Sequence, residues 1–176
     1  MSARNAGVQV ELQELRLVQL SDTGDELVGE EIERLKPAKR RQRTFLDSNI
    51  LVYADDRHDP VKQRKAVEVI REQLEQRTGV VSLQVLQEYF VNVTKKQKLD
   101  AEIARHKVEI YSRFSVAEPA VSDVLAAIDL YRFHGFSFWD ALIVRMAKQS
   151  GCRLLLSEDM QHGRIVDGVE IVNPFL

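Results

Sequence analysis

Residues 44–54 read TFLDSNILVYA. The short apolar stretch Thr44-Phe45-Leu46 predicts a β-strand, and it runs directly into an acid, Asp47. A second apolar run, Leu154-Leu155-Leu156, precedes another acid, Asp159. Ligands of an open parallel sheet bind in the crevice beyond the carboxyl ends of the strands. The sequence therefore predicts that both acids lie at a binding edge of the sheet. The alternative is that these acids cap helices, and Asp47 would then cap a segment that begins at Ser48.

Strand and helix patterns alternate from Thr44 to the end of the chain. Short apolar strands are predicted at 44–46, 79–81, 115–116, 153–156 and 169–172. Helical spacing of apolar residues is found at 61–77, which Thr78-Gly79 ends. Further helices are predicted from 82 onward and at 100–114, 122–131 and 137–149, each beginning at a serine or aspartate. This order predicts βαβ units, and hence a three-layer α/β fold with a central, mostly parallel sheet flanked by helices.

Length and composition place the chain among ordinary globular proteins. Its 176 residues suit one domain, and 44% are apolar and 30% charged. No apolar run is long enough for a membrane span and no signal peptide is evident, so we expect a cytoplasmic protein. The single cysteine, Cys152, excludes an internal disulfide and a cysteine-based zinc site, and we interpret it as a packing residue. The net charge of −2 does not by itself indicate a nucleic-acid partner.

Residues 1–43 differ from the domain predicted for 44–176. Six acids in 22–33 are followed by six bases in 34–43. Such blocks of like charge are typical of solvated or partner-binding segments. Three interpretations of this extension stay open: a disordered segment, a docking tail for a protein or nucleic acid, and a start codon assigned too far upstream.

Two further acids lie within predicted helices. Asp140 falls on an apolar arc with Trp139, Ile143, Val144 and Ala147, where an ionised carboxylate is costly unless it is paired or binds metal. The alternative is a capping box, in which the carboxylate of Asp140 reaches back to the helix start at Ser137.

The helix that begins after Ser82 is predicted to carry an apolar face of Leu83, Leu86, Phe90 and Val93. Glu88 lies on the far side of this helix from Leu83, Leu86 and Phe90. A solvated glutamate has the same position, so this pattern does not argue for function.

Four stretches together resemble the motifs of the PIN-domain ribonucleases. They are FLDSNILVYA at 45–54, SLQVLQE at 82–88, FWDALI at 138–143 and LSEDM at 156–160. The resemblance covers 44–176 with the motifs in order, and it looks closest to the VapC-like toxins of type II toxin–antitoxin pairs. The leading 43 residues are a departure from those compact proteins. The resemblance implies a PIN-like fold in which Asp47, Glu88, Asp140 and Asp159 hold a divalent metal.

The activity implied by this resemblance is cleavage of RNA phosphodiester bonds by a metal-dependent endoribonuclease. Carboxylates suit Mg²⁺ or Mn²⁺, which would activate a water without any Ser, Cys or His nucleophile. The resemblance further implies that Asn49 and Ser157 orient the acids by hydrogen bonds. It also implies a cognate antitoxin and a homodimer as partners. Two alternatives are an RNA-processing nuclease outside any toxin–antitoxin pair and a catalytically silent PIN-like binding module.

The best candidate surface for RNA is the span 95–113, which carries six bases against three acids. The bases are Lys95, Lys96, Lys98, Arg105, Lys107 and Arg113. A solvated helix face and a protein-binding or dimer surface are the alternatives.

Two other kinds of chemistry find little support in the sequence. The four histidines, His58, His106, His134 and His162, have no paired ligand spacing, so we expect them at the surface. A phosphatase of the aspartyl-phosphate type is disfavoured, because the position two residues after Asp47 is Asn49, where such enzymes have a second aspartate.

Overall fold

The computed structural model describes residues 42–176 of the chain. The strands are β1 (Thr44–Leu46), β2 (Gly79–Ser82), β3 (Ser115–Ala117), β4 (Leu154–Leu156), β5 (Ile165–Val166) and β6 (Val169–Val172). The helices are α1 (Ser48–Tyr53), α2 (Pro60–Gln76), α3 (Leu83–Lys95), α4 (Ala101–Tyr111), α5 (Val121–His134) and α6 (Phe138–Gln149). The predicted extension lies outside the described residues, except for its last two.

Within the described residues the strands form one sheet in the order β3-β2-β1-β4-β6-β5. All neighbours are parallel except β5 and β6. The chain moves from β1 through β2 to β3 in one direction and then returns past β1 to β4. Because parallel crossovers are right-handed, α1–α4 cover one face of the sheet and α5–α6 the other. The predicted three-layer α/β fold with a mostly parallel sheet is confirmed.

The helices pack within these two layers in the same grouping. Helix α3 contacts α1 and α4, α1 contacts α2, and α5 contacts α6. The sheet between them supplies fully buried side chains such as Phe45, Val80, Leu155 and Ile171. The central strands β1, β2 and β4 are short and almost entirely buried, as expected of strands covered on both faces. No helix among residues 42–176 has the length and apolar character needed to cross a membrane.

The structure contains a strand that the pattern did not predict. Strand β5 pairs with β6 through the two-residue turn Asp167-Gly168, where both residues have positive φ, 53° and 83°. This backbone conformation is the one that Asp-Gly favours in tight hairpins. The dipeptide was therefore a usable signal for the hairpin.

The predicted apolar face of α3 is correct only in part. Leu86 and Val93 are buried, but Leu83 and Phe90 are 42% and 38% exposed, and the helix also buries Val85 and Tyr89. Both sets of residues have helical spacing, so periodicity alone did not distinguish the side of the helix that meets the sheet. The predicted inward position of Trp139 on α6 is wrong, since this side chain is 59% exposed.

Candidate active site

The register of the sheet sets the ends of β1 and β4 side by side. Leu46 pairs with Leu156, so the residues that follow, Asp47 and Ser157, lie at the same level. The chain proceeds from β1 towards β2 on one side and from β4 towards β6 on the other. This is the point in an open α/β sheet where a binding crevice forms.

Asp47 has structural and site contacts at the same time. Its Oδ1 accepts a hydrogen bond from the amide of Ser48 at 2.6 Å, which caps α1. Its Oδ2 accepts from the hydroxyl of Ser157 at 2.7 Å and from Nδ2 of Asn49 at 3.1 Å. Oδ1 of Asp47 therefore caps the helix, as the alternative interpretation predicted, while Oδ2 lies in the crevice.

Asn49 joins two of the predicted acids. Its Nδ2 lies 3.1 Å from Oδ2 of Asp47 and 3.1 Å from Oδ2 of Asp159. The same nitrogen is 3.3 Å from the hydroxyl oxygen of Ser157. These contacts match the orienting role that the family resemblance implies for Asn49 and Ser157. The carboxamide of Asn49 is too weakly acidic to act as the general acid that a phosphatase of the aspartyl-phosphate type needs at this position.

Glu88 reaches the same region from α3. Its Oε2 accepts from the hydroxyl of Ser48 at 2.8 Å, and its Oε1 accepts from Nε2 of Gln84 at 2.8 Å. Ser48 thus contacts two acids, Asp47 through its amide and Glu88 through its hydroxyl. Ser48 and Gln84 were not predicted from the sequence, although a glutamine four residues before an acid on a helix is a recognisable hydrogen-bonding signal.

The surroundings of Asp47 make its ionised form less favourable. Burial is the main cause that raises the pKa of its carboxyl from 3.8 to about 6. The hydrogen bonds from Ser157 and Ser48 act in the opposite direction, while the nearby charges of Glu88 and Asp159 raise the pKa further. Three of the four predicted acids therefore interact electrostatically, and a nearby cation would relieve the penalty on the ionised form.

Asp140 has different contacts from the other three acids. It lies half-buried in the first turn of α6, and its Oδ2 accepts from the hydroxyl of Ser137 at 2.8 Å. The same hydroxyl caps the helix by accepting from the amide of Asp140 at 3.1 Å. This is a capping arrangement through the side chain of Ser137. The hydrogen bonds of Asp140 in the described part of the chain do not include Asp47, Glu88 or Asp159.

The chemistry of the acids suits a hard cation, although the arrangement is not closed. In residues 42–176, no group of three or more His, Cys, Asp or Glu side chains is arranged so that it could by itself hold a metal ion. Protein sites for Mg²⁺ are commonly completed by waters and substrate phosphate around one or two carboxylates. Asp47, with Glu88 and Asp159 nearby and all three carboxylates held by hydrogen bonds, fits that incomplete type of site. The role of Asp140 as a ligand stays a prediction.

The predicted RNA-binding bases separate into two groups. Lys107 forms an ion pair with the nearly buried Asp55, and Arg105 pairs with Glu102 and Glu109 on its own helix. Lys95, Lys96, Lys98 and Arg113 are exposed and form no ion pair within the described residues.

Arg113 lies far from the acids along the sheet. It borders a cavity with Gly79 and Ser115, the first residues of β2 and β3. The acids lie at the opposite ends of the strands, so Arg113 and the acids face different edges of the sheet.

The four histidines and Cys152 have their predicted positions, and a lysine that was not predicted lies close to the acids. All four histidines are exposed, and Cys152 is buried, which raises the pKa of its thiol to about 11. That lysine is Lys62, which forms an ion pair with Glu158, donates to the Tyr53 hydroxyl at 3.3 Å and lies over the Tyr53 ring. This ion pair, next to Asp159 in the sequence, was not predicted.

Comparison with known proteins gives the class that this fold and site define. The PIN domain family model matches residues 44–167, and the chain belongs to that family. No curated protein matches the chain in sequence.

Several solved structures share the fold. A toxin–antitoxin complex from Klebsiella pneumoniae is 18% identical with a TM-score of 0.55, covering 74% of this chain and 97% of that one. VapBC2 from Rickettsia felis, bound to a DNA fragment from its promoter, is 20% identical with a TM-score of 0.53, covering 74% and 97%. VapC20 from Mycobacterium tuberculosis, a toxin that cleaves the sarcin–ricin loop, is 14% identical with a TM-score of 0.52, covering 64% and 86%. At these identities the likeness shows a common fold.

Proposed function

We propose that this chain is a divalent-metal-dependent endoribonuclease that hydrolyses RNA phosphodiester bonds. The observation that carries the proposal is the meeting of Asp47, Asp159 and Glu88 at the carboxyl ends of β1 and β4. Membership of the PIN domain family supports the same activity.

Asp47, Glu88 and Asp159, with Asp140 as the fourth acid, would hold Mg²⁺ or Mn²⁺. When bound, such an ion lowers the pKa of a coordinated water and neutralises charge on the phosphate. Asn49 and Ser157 keep Oδ2 of Asp47 facing the crevice, and Asn49 does the same for Asp159. The exposed Lys95, Lys96 and Lys98 are candidates for contacts with the RNA backbone, a role that paired Arg105 and Lys107 fill less readily.

The cleavage test follows directly. The full chain is incubated with total cellular RNA in Mg²⁺ or Mn²⁺, with and without a chelator, and the cut ends are mapped. We expect cleavage that stops with chelator and is abolished in Asp47→Asn. Asp129→Asn, on the exposed part of α5, is the matched control and keeps parental activity. Metal-independent cleavage, or full activity in Asp47→Asn, contradicts the proposal.

Asp140 needs its own variant, because its helix cap is an alternative to metal binding. We propose that it completes the site, so Asp140→Asn loses cleavage while the fold is retained. Asparagine still accepts a hydrogen bond from the Ser137 hydroxyl and preserves the cap. Cleavage at the parental rate in Asp140→Asn would assign the residue to capping alone.

We further propose that the enzyme is the toxin of a toxin–antitoxin pair and acts as a homodimer. The structures of Klebsiella pneumoniae and Rickettsia felis proteins that share its fold are described as toxin–antitoxin assemblies. Exposed apolar side chains on α5, including Val121, Leu125 and Phe133, suit a protein interface. In this proposal an antitoxin controls the enzyme by covering the acidic crevice with a basic side chain.

Growth and association measurements test the partner proposals separately from the chemistry. Expression of the toxin is expected to arrest growth, and co-expression of a neighbouring gene is expected to restore it. Sedimentation is expected to give twice the chain mass. Harmless expression of an active nuclease would favour an RNA-processing role, and absence of cleavage together with intact RNA binding would favour a silent binding module.

A further inference from the structure

We infer that Gln84 is a positioning residue, which fixes the carboxylate of Glu88 in the orientation needed to bind a divalent cation. This inference rests on the proposed function of the site. Gln84 lies in the first turn of α3, directly after the end of β2, and Glu88 follows one helical turn later. The two residues therefore lie on the same face of the helix.

The hydrogen bonds of Glu88 restrict its carboxylate from both sides. Nε2 of Gln84 donates to Oε1 at 2.8 Å, and the hydroxyl of Ser48 donates to Oε2 at 2.8 Å. A carboxylate has about four lone-pair sites, so each oxygen keeps one for a cation or a water. The pair of donors thus orients Glu88 without saturating it.

The burial of Gln84 indicates that this contact is kept for function rather than for stability. The residue is 9% exposed, and its Oε1 accepts no hydrogen bond from the described residues. A buried acceptor without a partner costs stability, whereas an apolar side chain of similar shape does not. The amide cannot simply turn over, because the ionised carboxylate of Glu88 accepts hydrogen bonds only and holds the NH₂ end.

Binding of a cation by Glu88 would explain why a buried, partly unpaired glutamine is kept at position 84. Mg²⁺ demands near-octahedral geometry, and a glutamate side chain has three rotatable bonds that must be ordered. Partners that orient metal ligands typically contribute about 10- to 100-fold to metal affinity. Gln84 and Ser48 are placed to supply this ordering to Glu88, as Asn49 and Ser157 are for Asp47.

The test compares Gln84→Met, which keeps the length but removes the donor, with Gln87→Met on the exposed side of the same helix. Binding of Mn²⁺ to the full chain is measured by electron paramagnetic resonance without RNA, and thermal unfolding is measured in chelator. We expect Gln84→Met to bind Mn²⁺ about 10- to 100-fold more weakly. We expect its Tm to be equal or higher, and Gln87→Met to bind as the parent does.

A second measurement does not depend on metal binding: the rotamer of Glu88 is compared in metal-free crystal structures of the parent and of Gln84→Met. We expect the Glu88 carboxylate to leave its parental rotamer in the variant. Parental Mn²⁺ affinity with a lowered Tm would assign Gln84 a structural role only, and an unchanged Glu88 rotamer would also overturn the inference. If the parent itself binds no Mn²⁺, the proposed function fails, while the crystal structures still decide whether Gln84 positions Glu88.

Discussion

The buried carboxyl of Asp47 makes a sharp prediction about stability in the absence of metal. Its pKa is about 6 in the folded chain against an ordinary value of 3.8. The folded state therefore holds the proton more tightly than the unfolded state, and stability falls as pH rises through this window. At 1.36 kcal/mol for each pKa unit, the loss is about 3 kcal/mol when the group is fully ionised.

The substitution Asp47→Asn removes this titration. We expect the free energy of unfolding of the variant, relative to the parent, to increase by about 2 kcal/mol between pH 4.5 and pH 7. Urea unfolding in chelator measures the difference. With a slope of about 2 kcal/mol per molar urea, the gap between the two midpoints changes by about 1 M.

Two comparisons make the measurement decisive. Asp129→Asn removes an exposed charge on α5 and is expected to shift the midpoint equally at both pH values. Excess Mg²⁺ at pH 7 is expected to stabilise the parent and leave Asp47→Asn unchanged, because a ligand that binds only the folded state stabilises it. A pH-independent gap between Asp47→Asn and the parent would refute the link between burial and the raised pKa.

Two further predictions concern the fold that supports the site. The side chain of Asp123 is 1% exposed, and its Oδ1 accepts a hydrogen bond from Nε of Arg145 at 2.9 Å. Because Arg145→Met leaves this buried carboxylate without its cation, we expect the free energy of unfolding, measured in urea, to fall by about 3 kcal/mol. An unchanged free energy of unfolding would show that the ion pair is dispensable. Gly79→Ala places a Cβ about 2.5 Å from the buried ring of Phe114. We expect this overlap to lower the free energy of unfolding by about 1–3 kcal/mol. An unchanged Tm would mean that the ring moves aside without cost.

The acids illustrate how far local sequence reasoning reaches. Asp47 was predictable because it ends an apolar strand, and chain direction alone puts the end of a parallel strand at the binding edge. The position of Glu88 in the site was not predictable in this way, because its helix carries two apolar faces with similar spacing. Only the packing of Val85 and Tyr89 against the core, beside Leu86 and Val93, decides which side of the helix meets the sheet, and that choice turns Glu88 towards Ser48.

Asp140 shows the opposite outcome. Its place on an apolar arc was a local inference that relied partly on Trp139, which the structure leaves exposed. The local pattern did correctly include a cap at Ser137, because capping depends only on residues within one turn. Whether the carboxylate also serves the crevice depends on how α6 lies across the sheet, which a helical wheel does not contain.

The sequence by itself determined the α/β class, the alternation of strands and helices, the positions of the acids along the chain, and the motifs typical of a PIN domain. These features depend on neighbours a few residues apart, where periodicity, capping and turn chemistry act. The tertiary structure decided which acids meet, that Asn49 bridges Asp47 and Asp159, and that Ser48 contacts Glu88. Those contacts join residues up to 110 positions apart, and they follow from strand register and helix packing, which are set by burial of the whole core.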